Sequence, residues 1–79
     1  MNVRVLFFGA TADEAGRREM EIEVGPGATS GDAFEKVFLQ YPRLLSHKLL
    51  FAVNQEYSDR SELLKENDEL AVFTAVSGG

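Results

Sequence analysis

Positions 19 to 24 read Glu-Met-Glu-Ile-Glu-Val. This strict alternation has the two-residue period of a strand buried on one face, and a helix cannot use it. Met20, Ile22 and Val24 fall on one side and the three glutamates on the other. Gly25-Pro26-Gly27 then ends the segment with turn chemistry. A half-buried strand needs a partner for its apolar face, so the rest of the chain must supply other strands and a covering layer.

It does so in order. Residues 3–8 are rich in branched and aromatic side chains and read as a strand, stopped by Gly9. Residues 10–18 are polar and read as a loop. Residues 29–40 read as a helix. Thr29 with Asp32 three positions on fits a capping box, and Ala33, Phe34, Val37, Phe38 and Tyr41 recur at helical spacing. Tyr41-Pro42 marks the stop. Residues 48–53 form an almost unbroken apolar run, expected to be a strand buried on both faces. Asn54-Gln55 turns the chain, residues 61–65 suit one short helical turn, Asn67-Asp68 make a second turn, and residues 69–76 form the last strand. Strand, strand, helix, strand, strand is the order of an α+β roll, a mixed sheet of four to five strands with one main helix. The β-grasp is its natural candidate, since a split ferredoxin-like fold needs a second long helix. The expected organisation is one domain over residues 1–76 and a flexible tail at 77–79.

With 79 residues and no cysteine, the domain must rely on apolar packing; disulfides, zinc-thiolate sites and iron–sulfur clusters are excluded. A chain without such staples suits the cytoplasm. Thirteen acids against eight bases leave a net charge of −5. That surface is wrong for nucleic acid, which needs clustered Lys and Arg, and favours a basic protein partner. Arg4 followed by Val5-Leu6-Phe7-Phe8 has the outline of a signal peptide, but the run is short and meets Asp13-Glu14, so a core strand is expected. No stretch approaches a membrane span.

Side chains offer little catalytic chemistry. His47 has no cysteine or second histidine to join it as a metal ligand or catalytic pair and is expected in a loop. Asp13-Glu14 and Asp68-Glu69 are chain neighbours, a poor arrangement for an acid/base pair. The stretch from Gly9 to Gly16 lacks the Lys-Ser/Thr of a phosphate loop. Glu19, Glu21 and Glu23 are expected as a solvated face, with steering of a basic partner the alternative.

The end of the chain is different. Val76-Ser77-Gly78-Gly79 follows a strand with no polar spacer. A frayed end is the plain reading. The chemical one is a stalk: glycine lacks a Cβ, so the backbone can enter a narrow tunnel and the terminal carbonyl stays open to attack. From Ala75 to Gly79 the reach is at most about 15–18 Å. A carboxylate is a poor electrophile until activated, most simply as an acyl-adenylate made from ATP, and nothing in this chain can do that. A separate activating enzyme is implied.

Leu6-Phe7-Phe8, the block Lys48-Leu49-Leu50-Phe51-Ala52-Val53-Asn54-Gln55, and Asn67-Asp68-Glu69-Leu70-Ala71-Val72-Phe73 running into Val76-Ser77-Gly78-Gly79 resemble the small subunit of molybdopterin synthase over nearly the whole chain. The resemblance implies a ubiquitin-like β-grasp domain that binds no cofactor and is no enzyme on its own. An E1-like enzyme would use ATP to adenylate Gly79, which then becomes a thiocarboxylate. The tail, with Gly78 and Ser77, would enter the large subunit of molybdopterin synthase and give its sulfur to cyclic pyranopterin monophosphate. Two positions depart from the family pattern: Thr74-Ala75 stands where a Pro-Pro pair is common, and Ala12-Asp13 where an Arg is common.

A carrier held by successive partners should display an apolar patch. If Val3, Val5 and Phe7 point inward, Leu6 and Phe8 point out; on the last strand Leu70, Val72 and Thr74 share one face, and Ala71, Phe73 and Ala75 the other. Phe8 and Phe73 are therefore expected together on the open face of the sheet as partner-binding residues, with Val76 at the root of the tail. Tyr57 joins them by the resemblance. A one-residue slip would return them to the core. Other roles fit the same tail: a thiamine-pathway sulfur carrier, although those tend to be shorter and lack the segment 9–24, or a ubiquitin-like protein modifier. A non-covalent adaptor with an inert tail is the alternative of another class.

Overall fold

The computed structural model describes residues 1–75. In chain order they form β1 (Asn2–Phe7), α1 (Ala10–Ala15), β2 (Glu19–Glu23), α2 (Ser30–Gln40), a 3₁₀ helix (Pro42–Ser46), β3 (Leu49–Val53), β4 (Glu56–Tyr57) and β5 (Glu69–Thr74). The strands make one mixed sheet in the order β2-β1-β5-β3-β4. Only β1 and β5 run parallel, and they lie side by side at its centre.

The alternation in β2 does what its period requires. Val3 pairs with Ile22 and Val5 with Met20, while Val5 pairs with Leu70 and Phe7 with Val72. Val3, Val5, Phe7, Met20, Leu70 and Val72 are all buried and form the inner face of the sheet. Helix α2 lies against it through Ala33, Phe34, Val37 and Phe38. Phe34 is fully enclosed, with its ring 4.5 Å from that of Phe51 and 6.5 Å from that of Phe38. Leu44 and Leu64 are buried in the same core.

The N-terminus of α2 carries the expected capping box: Asp32 N–H donates to Thr29 Oγ1 and Thr29 N–H to Asp32 Oδ2. The amides of Ser30 and Gly31 donate to the carbonyls of Glu62 and Arg60, both at 2.8 Å. That explains why residues 61–65 do not form the expected helical turn. The segment is drawn out against α2, Leu63 bridges Thr29, and Leu64 is buried. A helical turn would turn those carbonyls inward on themselves and lift Leu64 from the core.

Two other expectations are corrected. Residues 10–18 contain α1, ended by Gly16 in the left-handed region at φ 71°, the usual glycine stop. Residues 48–53 are not buried on both faces: β3 buries only Ala52 and Val53, and Leu50 is 36% exposed, because helices cover one side of the sheet only. The Asn54-Gln55 turn, with φ of 49° and 71°, opens a hairpin into β4, which the residue pattern was too short to announce. The last strand is described to Thr74. Val76, Ser77, Gly78 and Gly79, including the boundary placed at 76 and the tail at 77–79, lie outside the described residues. Among the described residues no helix is long and apolar enough to cross a membrane.

Candidate functional site

The uncovered face of the sheet is divided in two. On one half, Leu6, Phe8, Ala52, Tyr57, Ala71 and Phe73 line a shallow concavity of about 800 Å³, with Glu69 on its rim. Register explains the gathering. Leu6 pairs with Ala71, Ala71 with Ala52, Phe73 with Leu50, and Ala52 with Tyr57, so side chains from four strands emerge on one side. The small residues Ala52 and Ala71 make the floor and the aromatics the walls. Phe8 is 51% exposed and Tyr57 79%. The rings of Tyr57 and Phe73 stand 5.8 Å apart.

The other half of the face is charged. Glu19, Glu21 and Glu23 pair across to Leu6, Arg4 and Asn2, so they share the face with the concavity. Arg4 lies between the halves, its Nη2 3.3 Å from Glu69 and its Nη1 4.0 Å from Glu19. These pairs are open to solvent, and such exposed pairs contribute little to stability. His47 sits apart from the concavity, its Nε2 3.2 Å from Glu14 Oε1, linking the end of the 3₁₀ helix to α1.

The structure thus brings together three of the residues singled out in the sequence, Phe8, Tyr57 and Phe73. The face assignment holds for β1 and for Leu70 to Phe73 of β5, while Thr74, expected on the inner face, contributes to the lining of the hollow at the strand's end. Ala52 was missed. The continuous apolar run around it gives no alternation by which to separate two faces; the following turn and Tyr57 were the available sign that β3 sits near an edge. Among the described residues no group of three or more His, Asp or Glu is placed to hold a metal ion.

A five-stranded mixed sheet with its first and last strands parallel at the centre, one long helix across one face and an apolar hollow on the other, defines a ubiquitin-like β-grasp domain. The solved structure of SAMP1 from Haloferax volcanii superposes with a TM-score of 0.89 at 29% identity, over all of both chains. The ThiS family model matches residues 5–79, and the chain belongs to that family. The molybdopterin synthase sulfur carrier subunit of Chlamydomonas reinhardtii is 36% identical over 83 residues, all of both chains. That of Mycobacterium tuberculosis is 36% identical over 84 residues, covering all of this chain and 99% of the other.

Proposed function

We propose that this chain is the sulfur-carrier subunit of molybdopterin synthase, a carrier in which Gly79 holds the sulfur and the folded body presents it. The observation that carries the reading is the apolar hollow walled by Phe8, Tyr57 and Phe73, set around the end of β5, the strand from which the chain passes to Gly78-Gly79. Contiguous exposed apolar surface on a small domain marks an interface, and full-length relatives carry this name. In this reading the Gly79 carboxylate attacks the α-phosphate of ATP on an E1-like enzyme and pyrophosphate leaves. A sulfide equivalent from a sulfur donor displaces AMP, leaving a thiocarboxylate. In the large subunit of molybdopterin synthase the sulfur passes to cyclic pyranopterin monophosphate and water restores the carboxylate. The chain binds no cofactor, since ATP belongs to the activating enzyme, and it works in the cytoplasm, with the catalytic groups supplied by its partners.

Incubation with an activating enzyme, ATP and a sulfur donor should raise the mass by one oxygen-to-sulfur exchange at Gly79, and the protein should form a stable complex with a large subunit. Deleting Gly79 should abolish transfer and leave docking intact. An unchanged mass with a competent activating enzyme would point to an adaptor, and binding to thiazole synthase in place of the large subunit to the thiamine pathway. The likeness to SAMP1, a small archaeal modifier protein, favours a second reading, a protein modifier joined to lysine. Lysine-linked conjugates in cells lacking the large subunit would establish it.

A further inference from the structure

The parallel pair β1–β5 opens at its end, and a side chain fills the gap. Phe8 N–H stands 3.4 Å from the carbonyl of Val72, long for a ladder bond. Thr11, in the first turn of α1 and fully buried, places its hydroxyl between them. Oγ1 accepts from Phe8 N–H at 2.9 Å and lies 2.9 Å from Val72 O and 2.7 Å from Phe8 O. A threonine hydroxyl has one proton to donate, so the two carbonyls share it. The hydroxyl completes a rung that the backbones alone make poorly.

The two strands it joins carry opposite walls of the hollow. Phe8 donates into the hydroxyl, and Phe73 directly follows Val72, which accepts from it; both line the concavity. Gly9, next along, sits at φ 57°, a conformation open to glycine, and turns the chain from β1 into α1. We propose that Thr11 is a positioning residue of the docking hollow, its hydroxyl setting the place of Phe8 relative to Phe73 and so the shape offered to the partner. The proposal rests on the reading of that hollow as the seat of the large subunit. Thr11 touches no partner itself. It acts through Phe8, and the methyl group that packs beside the hydroxyl is not the part that matters.

The test compares Thr11→Val, Thr11→Ser and Phe73→Ala with the natural protein, each titrated with a molybdopterin synthase large subunit, with amide hydrogen exchange followed in the free domain. Thr11→Val should bind about tenfold more weakly and Thr11→Ser within about twofold, the size expected for a buried bond lost or kept. The Phe8 amide should exchange about tenfold faster or more in the Val variant only, with the amides of α2 unchanged. Full affinity in Thr11→Val, with Phe73→Ala impaired, overturns the role of Thr11 and leaves the docking reading standing. Full affinity in Phe73→Ala overturns the docking reading itself. If Thr11→Val does not fold, Thr11→Ser and Thr11→Ala decide, since they differ by the hydroxyl alone: tighter binding by Ser supports the proposal, and equal binding overturns it.

Discussion

The rings of Tyr57 and Phe73 meet at 5.8 Å and an interplanar angle of 52° although β3 lies between their strands. They reach each other because Ala52, which pairs with Tyr57, is too small to part them. Tyr57 is 79% exposed, and among the described residues Phe73 is the aromatic partner of its ring. Tyr57→Ala should cost the fold only about 0.5–1.5 kcal/mol, the worth of an aromatic pair. It should cost docking to the large subunit about 2 kcal/mol or more, as anchoring aromatics do, and Tyr57→Phe should restore most of it. Calorimetric titration beside urea unfolding reads both quantities. Equal losses in the two would remove Tyr57 from the interface.

Gly31 reverses an ordinary rule. Alanine is a better helix former than glycine by about 1 kcal/mol, yet a Cβ at position 31 would lie 2.8 Å from the Arg60 carbonyl, the same atom that accepts the Gly31 amide. Arg60 cannot easily retreat. Its φ of 77° is already in the left-handed region, and its guanidinium lies 5.3 Å from the centre of the Phe51 ring. Gly31→Ala should therefore destabilise by about 1–3 kcal/mol, as overpacking does, and speed exchange of the Ser30 amide. A more stable variant would mean that the strap of residues 58–64 yields freely.

That strap also shows where the sequence stops being informative. The elements with a long, regular period were legible: the alternation at 19–24, the apolar stripe and Thr29-Asp32 cap of α2, and the inward set Val3, Val5 and Phe7 that put Phe8 on the open face. Period and cap are local properties, readable without knowing the fold. The extended path of residues 61–65 is not local, because it is dictated by the free amides of Ser30 and Gly31 and by a core vacancy that Leu64 fills. Helix α1 was hidden for a related reason. It is short, only Thr11 of it is buried, and the hydroxyl that earns Thr11 its place answers a gap between β1 and β5 that exists only once the sheet has formed. Of the site, the aromatic walls and the face of Ala71, shared with Phe73, could be named in advance, but Ala52 could not, since it sits in an apolar run without alternation.

Asp59 offers a test of the same strap by pH. Its carboxylate accepts from the hydroxyl and the backbone amide of Ser61; the hydroxyl bond foremost, then the amide bond, hold its pKa below the ordinary 3.8. A depressed carboxylate stabilises the fold above its unfolded pKa, and that contribution is lost as pH falls through the lower folded value. The loss should therefore begin below pH 3.8 and leave neutral pH untouched. An NMR titration of the Asp59 side chain should show a midpoint under 3.8, and Ser61→Ala should move it up toward that value. A midpoint at 3.8 in the natural protein would mean that the Asp59–Ser61 turn does not hold in solution.

Thr29 provides the complementary control, a residue that supports the fold and stands away from the hollow. Its hydroxyl accepts the Asp32 amide at 3.2 Å, and its own amide donates to Asp32 at 2.9 Å. Removing an N-cap hydroxyl costs about 1 kcal/mol, and serine replaces threonine there at little loss. Thr29→Ala should therefore lower unfolding free energy by about 1 kcal/mol, and Thr29→Ser by less than about 0.5 kcal/mol. Helix α2 covers the inner face of the sheet and no part of it lines the hollow. Affinity for the large subunit should then stay within about twofold, since distant sites act independently. If Thr29→Ala weakened docking as much as Tyr57→Ala, binding would be tracking the folded fraction, and the aromatic walls would lose their claim to act as an interface.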